Sequence, residues 1–111
     1  MLQHQITDQD ALDAALAADR FLLFKHSDRC SISVHAFRDY RLFVEAHPDV
    51  PTGWIDVVAH RDWAREVARH VEVRHESPQA LWLSQGHALW HASHFQITQP
   101  ELAANVLGAN A

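Results

Sequence analysis

The sequence contains one residue suited to thiol chemistry, Cys30, the only cysteine among 111 residues. It stands between a strand-like run over 21–26 and a helix-like run that begins near Ile32. At a helix N-terminus, unpaired backbone N–H groups and the positive end of the helix dipole favour a thiolate over a thiol. Because a single cysteine cannot form an internal disulfide, the sequence predicts redox chemistry between Cys30 and a second molecule.

The charged residues around Cys30 predict an exposed and reactive sulfur. Its flanking positions are polar or charged: Asp28, Arg29, Ser31 and Ser33. Cationic neighbours favour a thiolate, and three are close in the sequence: Lys25, His26 and Arg29. The carboxylate of Asp28 acts in the opposite direction. We therefore expect His26 and Arg29 to belong to the thiol-binding site.

Two hydroxyl groups at the predicted start of the helix are further candidates for this site. Ser31 and Ser33 can each donate a hydrogen bond to the sulfur of Cys30, where side-chain and backbone donors converge. Ser33 is equally well explained as a helix-start hydroxyl that satisfies a backbone N–H group. For Cys30 itself, the alternative is a buried structural thiol, which is common among free cysteines.

Composition and charge predict one folded domain over residues 1–111. Hydrophobic residues make up 48% of the chain and charged residues 21%, which is typical of a folded globular domain of this length. The net charge is −5 and the basic residues are scattered, so we expect neither nucleic acid nor a membrane as partner. No leader or transmembrane pattern is evident, which favours the cytoplasm, where a thiol stays reduced.

Hydrophobic spacing predicts the elements that must position Cys30. We expect helices over 8–18, from about 32 to before Pro48, around 63–71, and after residue 98 to before Gly108. The first should begin with a capping box of Thr7 and Asp10, and the last with one of Thr98 and Glu101. Strands are predicted over 21–26, 53–58, 80–84 and 88–92, the last two joined as a hairpin through 85–87.

This order of elements is that of a thioredoxin-like α/β fold. A βαβ unit, a helix, a ββ hairpin and a last helix follow one another, with one helix in front. We expect a central mixed sheet of about four strands with helices on both faces. Right-handed crossovers predict that the parallel strands lie in the middle of the sheet, with the first of them central.

Three segments carry a resemblance to a known family. They read FKHSDRCSIS over 24–33, VRHESPQ over 73–79 and WHASHF over 90–95. In combination they resemble the monothiol bacilliredoxins, thioredoxin-like proteins of the bacillithiol system, over nearly the whole chain. The resemblance implies removal of bacillithiol, a low-molecular-weight thiol, from mixed disulfides on client proteins. Bacillithiol would be a co-substrate, and no cofactor would be permanently bound.

The resemblance also implies roles by position. Cys30 would be the nucleophile, and Ser33 stands where dithiol relatives have a resolving cysteine. Pro78 would be a cis-proline facing the active site, so that Ser77 could offer backbone groups to an extended peptide or to the bound thiol. The family usually has proline after the nucleophile, whereas this chain has Ser31.

The histidines of the matching segments allow more than one interpretation. His75, His91 and His94 could bind a metal or protonate a leaving thiol, but structural histidines at strand ends are the simpler alternative. We retain His94 as a candidate substrate-binding residue. No recognisable spacing of ligands predicts a metal site.

Two other functions remain open from the sequence. One is a redox-inactive thioredoxin-like adaptor that binds peptides along the edge at Ser77 and Pro78. The other is a redox sensor whose Cys30 is capped by the small thiol for protection. Reactivity toward a thiol-labelling reagent separates the first from a catalyst, and turnover separates the second.

Overall fold

The computed structural model describes residues 3–108, so residues 1–2 and 109–111 of the predicted domain lie outside the described part. The helices are α1 (Gln9–Ala17), α2 (Ser31–Ala46), α3 (Arg61–Val71), a short 3₁₀ helix (His94–Gln96) and α4 (Gln99–Val106). The strands are β1 (Phe21–His26), β2 (Thr52–Asp56), β3 (Gln79–Ser84) and β4 (His87–Ser93). The predicted order of elements is confirmed.

Two predicted boundaries are wrong for local reasons. The cap of α1 is Asp8, whose carboxylate accepts a hydrogen bond from the backbone N–H of Ala11 at 2.8 Å, so Thr7 does not form the capping box. Strand β2 ends at Asp56 rather than two residues later. The carboxylate of Asp56 accepts a hydrogen bond from the N–H of Val58 at 2.9 Å, which turns the chain out of the sheet.

The sheet has the strand order β2-β1-β3-β4. Strand β1 pairs parallel with β2 and antiparallel with β3, which confirms β1 as a central strand. The expectation that both parallel strands lie in the middle is wrong, because the β3–β4 hairpin extends the sheet from the other side of β1. Within the described residues, β2 has only one isolated bridge beyond it, between Gln5 and Trp54.

Helices cover both faces of the sheet, as predicted. Helices α2 and α4 pack on one face, where Leu22 and Phe24 of β1 are fully buried. Helices α1 and α3 pack on the other, which buries Leu23. Lys25 follows Leu23 by two positions and so faces the same side, since side chains alternate along a strand. No helix within residues 3–108 is long and apolar enough to cross a membrane.

Candidate active site

Cys30 is the N-cap residue of α2, which is the position that the sequence predicted for it. Its backbone is extended (φ −121°, ψ 124°), and its carbonyl accepts the first helical hydrogen bond, from the N–H of Val34 at 3.1 Å. The side chain forms no capping bond and is partly exposed. Cys30 therefore directly precedes the first turn of α2, whose leading N–H groups have no partner within the helix.

A cleft of about 280 Å³ opens beside Cys30. Its walls come from the β1–α2 loop, the segment after β2, the first turns of α3, and the segment that precedes β3. The lining side chains able to do chemistry are Ser27, Cys30, Arg61, Arg65, His75 and Ser77. The fold thus brings two predicted site residues, Cys30 and Ser77, into one cleft from distant parts of the chain.

Ser77 contributes an unpaired hydroxyl group to this cleft. Its peptide bond to Pro78 is cis, as the resemblance implied, and its Oγ is buried without a hydrogen-bond partner among the described residues. The backbone N–H and C=O of Ser77 likewise form no hydrogen bond within residues 3–108. A buried hydroxyl rarely goes unpaired, which makes Ser77 a candidate partner for a ligand in the cleft.

Ser33 and His26 form a buried pair underneath the loop that carries Cys30. Ser33 is fully buried, and its Oγ accepts a hydrogen bond from the N–H of Ser27 at 2.9 Å. The same Oγ lies 2.9 Å from Nδ1 of His26, whose ring stacks on Phe37 at 4.1 Å between centroids. Burial lowers the pKa of His26, and the nearby carboxylates of Asp28 and Asp56 oppose this effect only in part.

This pair corrects the expectation for the two hydroxyl groups. Within the described residues neither Ser31 nor Ser33 forms a hydrogen bond to the sulfur of Cys30. Ser31 is exposed at the first position of α2, whereas the hydroxyl of Ser33 is turned inward to satisfy buried partners. Ser33 therefore anchors the β1–α2 loop.

Lys25 is a fully buried cation behind the cleft. Its Nζ lies 3.2 Å from Nδ1 of His75, which lines the cleft. Burial lowers the pKa of Lys25 to about 8, although the carboxylate of Glu76 acts to raise it. The pKa of His75 is lowered by its own burial and by the charges of Lys25 and Arg65. Lys25 thus faces His75 and the interior, rather than acting as a surface cation next to Cys30.

The two remaining predicted site residues lie outside the cleft. Arg29 is exposed on the β1–α2 loop and does not line it. His94 begins the 3₁₀ helix, and its backbone N–H donates to the carbonyl of Pro78 at 3.1 Å. Its Nε2 lies 3.8 Å from a carboxylate oxygen of Glu76. These contacts with Pro78 and Glu76 connect His94 to the segment before β3. A role of His94 toward a substrate stays a prediction.

A family model now identifies the chain. The model of monothiol bacilliredoxin BrxC matches residues 4–102, which include β1, the cleft and β4. The chain belongs to the monothiol bacilliredoxin family. This bacilliredoxin has the single cysteine Cys30, and the residue three positions after it is the buried Ser33.

Solved structures agree with the fold. A protein described as a candidate oxidoreductase with a thioredoxin fold has a TM-score of 0.82 at 26% identity, over 92% of this chain and 91% of that one. A poplar thioredoxin h mutant has a TM-score of 0.74 at 19% identity, over 94% and 79% of the two chains. A mutant thioredoxin from Halobacterium salinarum has 0.63 at 21%, over 93% and 84%. Family and fold together support a thiol redox function.

The sequence did not point to several residues of the bacilliredoxin cleft. Arg61 and Arg65 are not among the predicted site residues, and their spacing of four, which places both on one face of a helix, was the signal available. Lys25 lies within an otherwise apolar run, which could have marked it as a buried cation. No group of three histidine, cysteine or acidic side chains in the described part of the chain could hold a metal ion.

Proposed function

We propose that this chain is a monothiol thiol-disulfide oxidoreductase that removes bacillithiol from mixed disulfides on client proteins. The observation that carries the proposal is the partly exposed Cys30 at the N-cap of α2, opening on a cleft large enough for a small molecule. Membership of the monothiol bacilliredoxin family supports the same chemistry. A thiol that must stay reduced also favours the cytoplasm as its compartment.

The reaction consists of two exchange steps. In the first, the Cys30 thiolate attacks the small-thiol sulfur of the mixed disulfide, that sulfur's bond to the client breaks, and the client sulfur leaves as a thiolate. The client is reduced, and Cys30 now carries the small thiol. In the second step, the thiolate of another molecule attacks the sulfur of the small thiol held on Cys30. The bond to Cys30 breaks, Cys30 leaves as a thiolate, and a disulfide forms between the small thiol and the attacking thiol. The attacking thiol is thus oxidised as the client is reduced.

The buried Ser33 explains why the second step needs an external molecule. A hydroxyl group cannot attack a disulfide, and that of Ser33 is already held by Ser27 and His26. The mixed disulfide on Cys30 therefore persists until another thiol arrives. The client itself would pair with the free backbone groups of Ser77 in the manner of an added strand, which carries little sequence specificity.

The proposal is tested with a reporter protein that carries bacillithiol on its single cysteine. In the presence of excess free bacillithiol, the wild-type chain should release more than one equivalent of reporter thiol, followed by intact-mass spectrometry. Cys30→Ser should abolish catalysed release yet keep the fold, because serine is a favourable N-cap residue. Cys30→Ala serves as a second variant without sulfur.

Three results would contradict the proposal. Release by Cys30→Ser at the wild-type rate would mean that another group performs the exchange. A wild-type chain that takes up one equivalent and is never regenerated would favour the redox sensor. A wild-type chain that does not react would favour the peptide-binding adaptor.

A further inference from the structure

The cleft beside Cys30 is basic, although the chain as a whole is acidic. Apart from Cys30, its ionisable lining residues are Arg61, Arg65 and His75, and no carboxylate from the described part of the chain lines it. The whole chain has a net charge of −5. A local excess of positive charge in an acidic protein attracts anions to that place.

The two arginines have their guanidinium groups free. Arg61 and Arg65 lie one turn apart on α3, so their side chains project from the same face of the helix. Both are exposed, and neither forms a hydrogen bond or an ion pair with any residue between 3 and 108. Glu66, the acidic neighbour of Arg65, is hydrogen-bonded to Gln9 instead.

Other groups around the cleft act in the same sense. The buried hydroxyl of Ser77 has no partner in the described residues and could donate to an anionic oxygen. Lys25 places a further cation behind His75 at 3.2 Å. The carboxylate of Glu76 opposes these charges, but it does not line the cleft. Its Oε1 lies 3.8 Å from Nε of Arg74, and its Oε2 lies 3.8 Å from Nε2 of His94.

We propose that this cleft binds the small-thiol half of the mixed disulfide and selects thiols that carry carboxylate groups, with Arg61 and Arg65 as the binding residues. The inference rests on the proposed function and adds the residues that recognise its small thiol. A guanidinium group matches a carboxylate through two parallel hydrogen bonds. The volume of about 280 Å³ suits a small molecule rather than a protein segment.

Binding of the small thiol in this cleft also directs the exchange. With its carboxylates on α3, the small thiol presents its own sulfur to Cys30, and the client sulfur points out of the cleft as the leaving group. Attack in line on the small-thiol sulfur then transfers that thiol to Cys30. Attack on the client sulfur would instead leave the client covalently attached to Cys30.

The test uses one reporter peptide with a single cysteine, loaded as a mixed disulfide with mercaptosuccinate, 2-mercaptoethanol or cysteamine. The three adducts are dianionic, neutral and cationic. Single-turnover transfer to Cys30 is followed by mass spectrometry. Each rate is divided by the rate at which free 2-mercaptoethanol reduces the same loaded peptide. The wild-type chain should favour the dianionic adduct over the neutral one by about tenfold, and the ratio should fall in about 0.5 M salt.

Substitutions on α3 test whether Arg61 and Arg65 cause the preference for the dianionic adduct. Arg61→Gln combined with Arg65→Gln should bring the normalised ratio of dianionic to neutral rates close to one, whereas the double lysine variant should keep most of it. Arg69→Gln is the matched control, because Arg69 is exposed on the same helix but does not line the cleft. It should keep the full ratio.

Two outcomes would overturn the inference: a wild-type ratio near one, or an unchanged ratio in the double glutamine variant. Transfer from none of the three adducts would overturn the proposed function instead, so the two failures are distinguishable. Attachment of the peptide rather than the small thiol to Cys30 would overturn the direction of exchange described above.

Discussion

Lys25 is a residue whose environment costs stability. It lies in the central strand β1 with no exposed surface, and among the described residues the only hydrogen-bond partner of its side chain is the imidazole of His75, which carries no negative charge at neutral pH. A cation in such a place is destabilised relative to water, which is why burial lowers the pKa of Lys25 to about 8. At neutral pH this buried cation adds positive charge behind the cleft of Cys30.

Lys25→Met should remove this cost and its pH dependence. Between pH 8 and 10 the unfolded wild-type chain holds a proton on Lys25 that the folded chain has largely lost, so the free energy of unfolding should rise with pH. The variant should lack this rise and gain up to about 3 kcal/mol at pH 7. Urea denaturation at several pH values measures both effects.

The pH window of that experiment ends at 10 for a physical reason. Burial raises the pKa of Tyr40, so above pH 10 its ionisation in the unfolded chain acts in the opposite sense. A Lys25→Met variant with the same slope as the wild type between pH 8 and 10 would contradict the assignment of that slope to Lys25.

Ser33 should matter for stability although it cannot resolve a disulfide. Ser33→Ala leaves the N–H of Ser27 and Nδ1 of His26 without their partner in a buried place, which should cost about 1 to 3 kcal/mol. Ser31→Ala is the matched control, since Ser31 is exposed two residues earlier, and it should change stability by less than about 0.5 kcal/mol. Equal stability of both variants, measured by urea denaturation, would contradict the anchoring role.

Among the elements, the β3–β4 hairpin depends on a glycine in its turn. Its turn has two residues, Gln85 and Gly86, with φ of 49° and 82°, as in a type I′ turn. This is shorter than the three-residue turn expected from the sequence. A Cβ at Gly86 would lie 2.7 Å from Nε2 of His70, so the glycine also allows α3 to approach the hairpin.

Gly86→Ala should therefore destabilise the chain by about 1 to 2 kcal/mol, because alanine is strained at this positive φ and its Cβ would meet His70.

Gln85→Asn tests the turn type separately. It creates the Asn-Gly pair that type I′ turns favour and should raise the melting temperature. A lower melting temperature for Gln85→Asn would argue against this turn.

For the chain as a whole, stability at acidic pH should depend on two histidines, the buried His26 and the more exposed His75. Burial lowers the pKa of His26, and partial burial together with the charges of Lys25 and Arg65 lowers the pKa of His75, from the usual value of 6.5. Below pH 6.5 the unfolded chain therefore binds protons that the folded chain resists, and the free energy of unfolding should fall as the pH is lowered.

Thermal unfolding between pH 5 and 7 measures this effect. The melting temperature of the wild type should decrease on acidification, and His26→Gln should decrease less steeply, because glutamine can still bond to Ser33 but does not titrate. The slope is the quantity to compare, since the substitution also changes the stability itself. An equal slope in the two proteins would show that His26 does not contribute.

Most of the fold could be predicted because its signals are local. Strand β1, the start of α2 close to Cys30, the hairpin and the Thr98 cap all follow from periodicity and turn residues within a few positions. The errors have equally definite causes. Asp8 rather than Thr7 caps α1, and the Asx turn at Asp56 ends β2 two residues before its predicted end. The edge position of β2 depended on which side of β1 the hairpin joins.

The sequence by itself determined that one thiol lies at the N-terminus of a helix after a central strand, and that any disulfide must be made with another molecule. The surroundings of that thiol arise only when segments distant in the chain meet across the sheet. Burial and pairing across such distances leave little periodic pattern in the sequence. The folded chain thereby turned Ser33 inward to His26, placed Lys25 behind His75, and brought Arg61 and Arg65 to the cleft of Cys30.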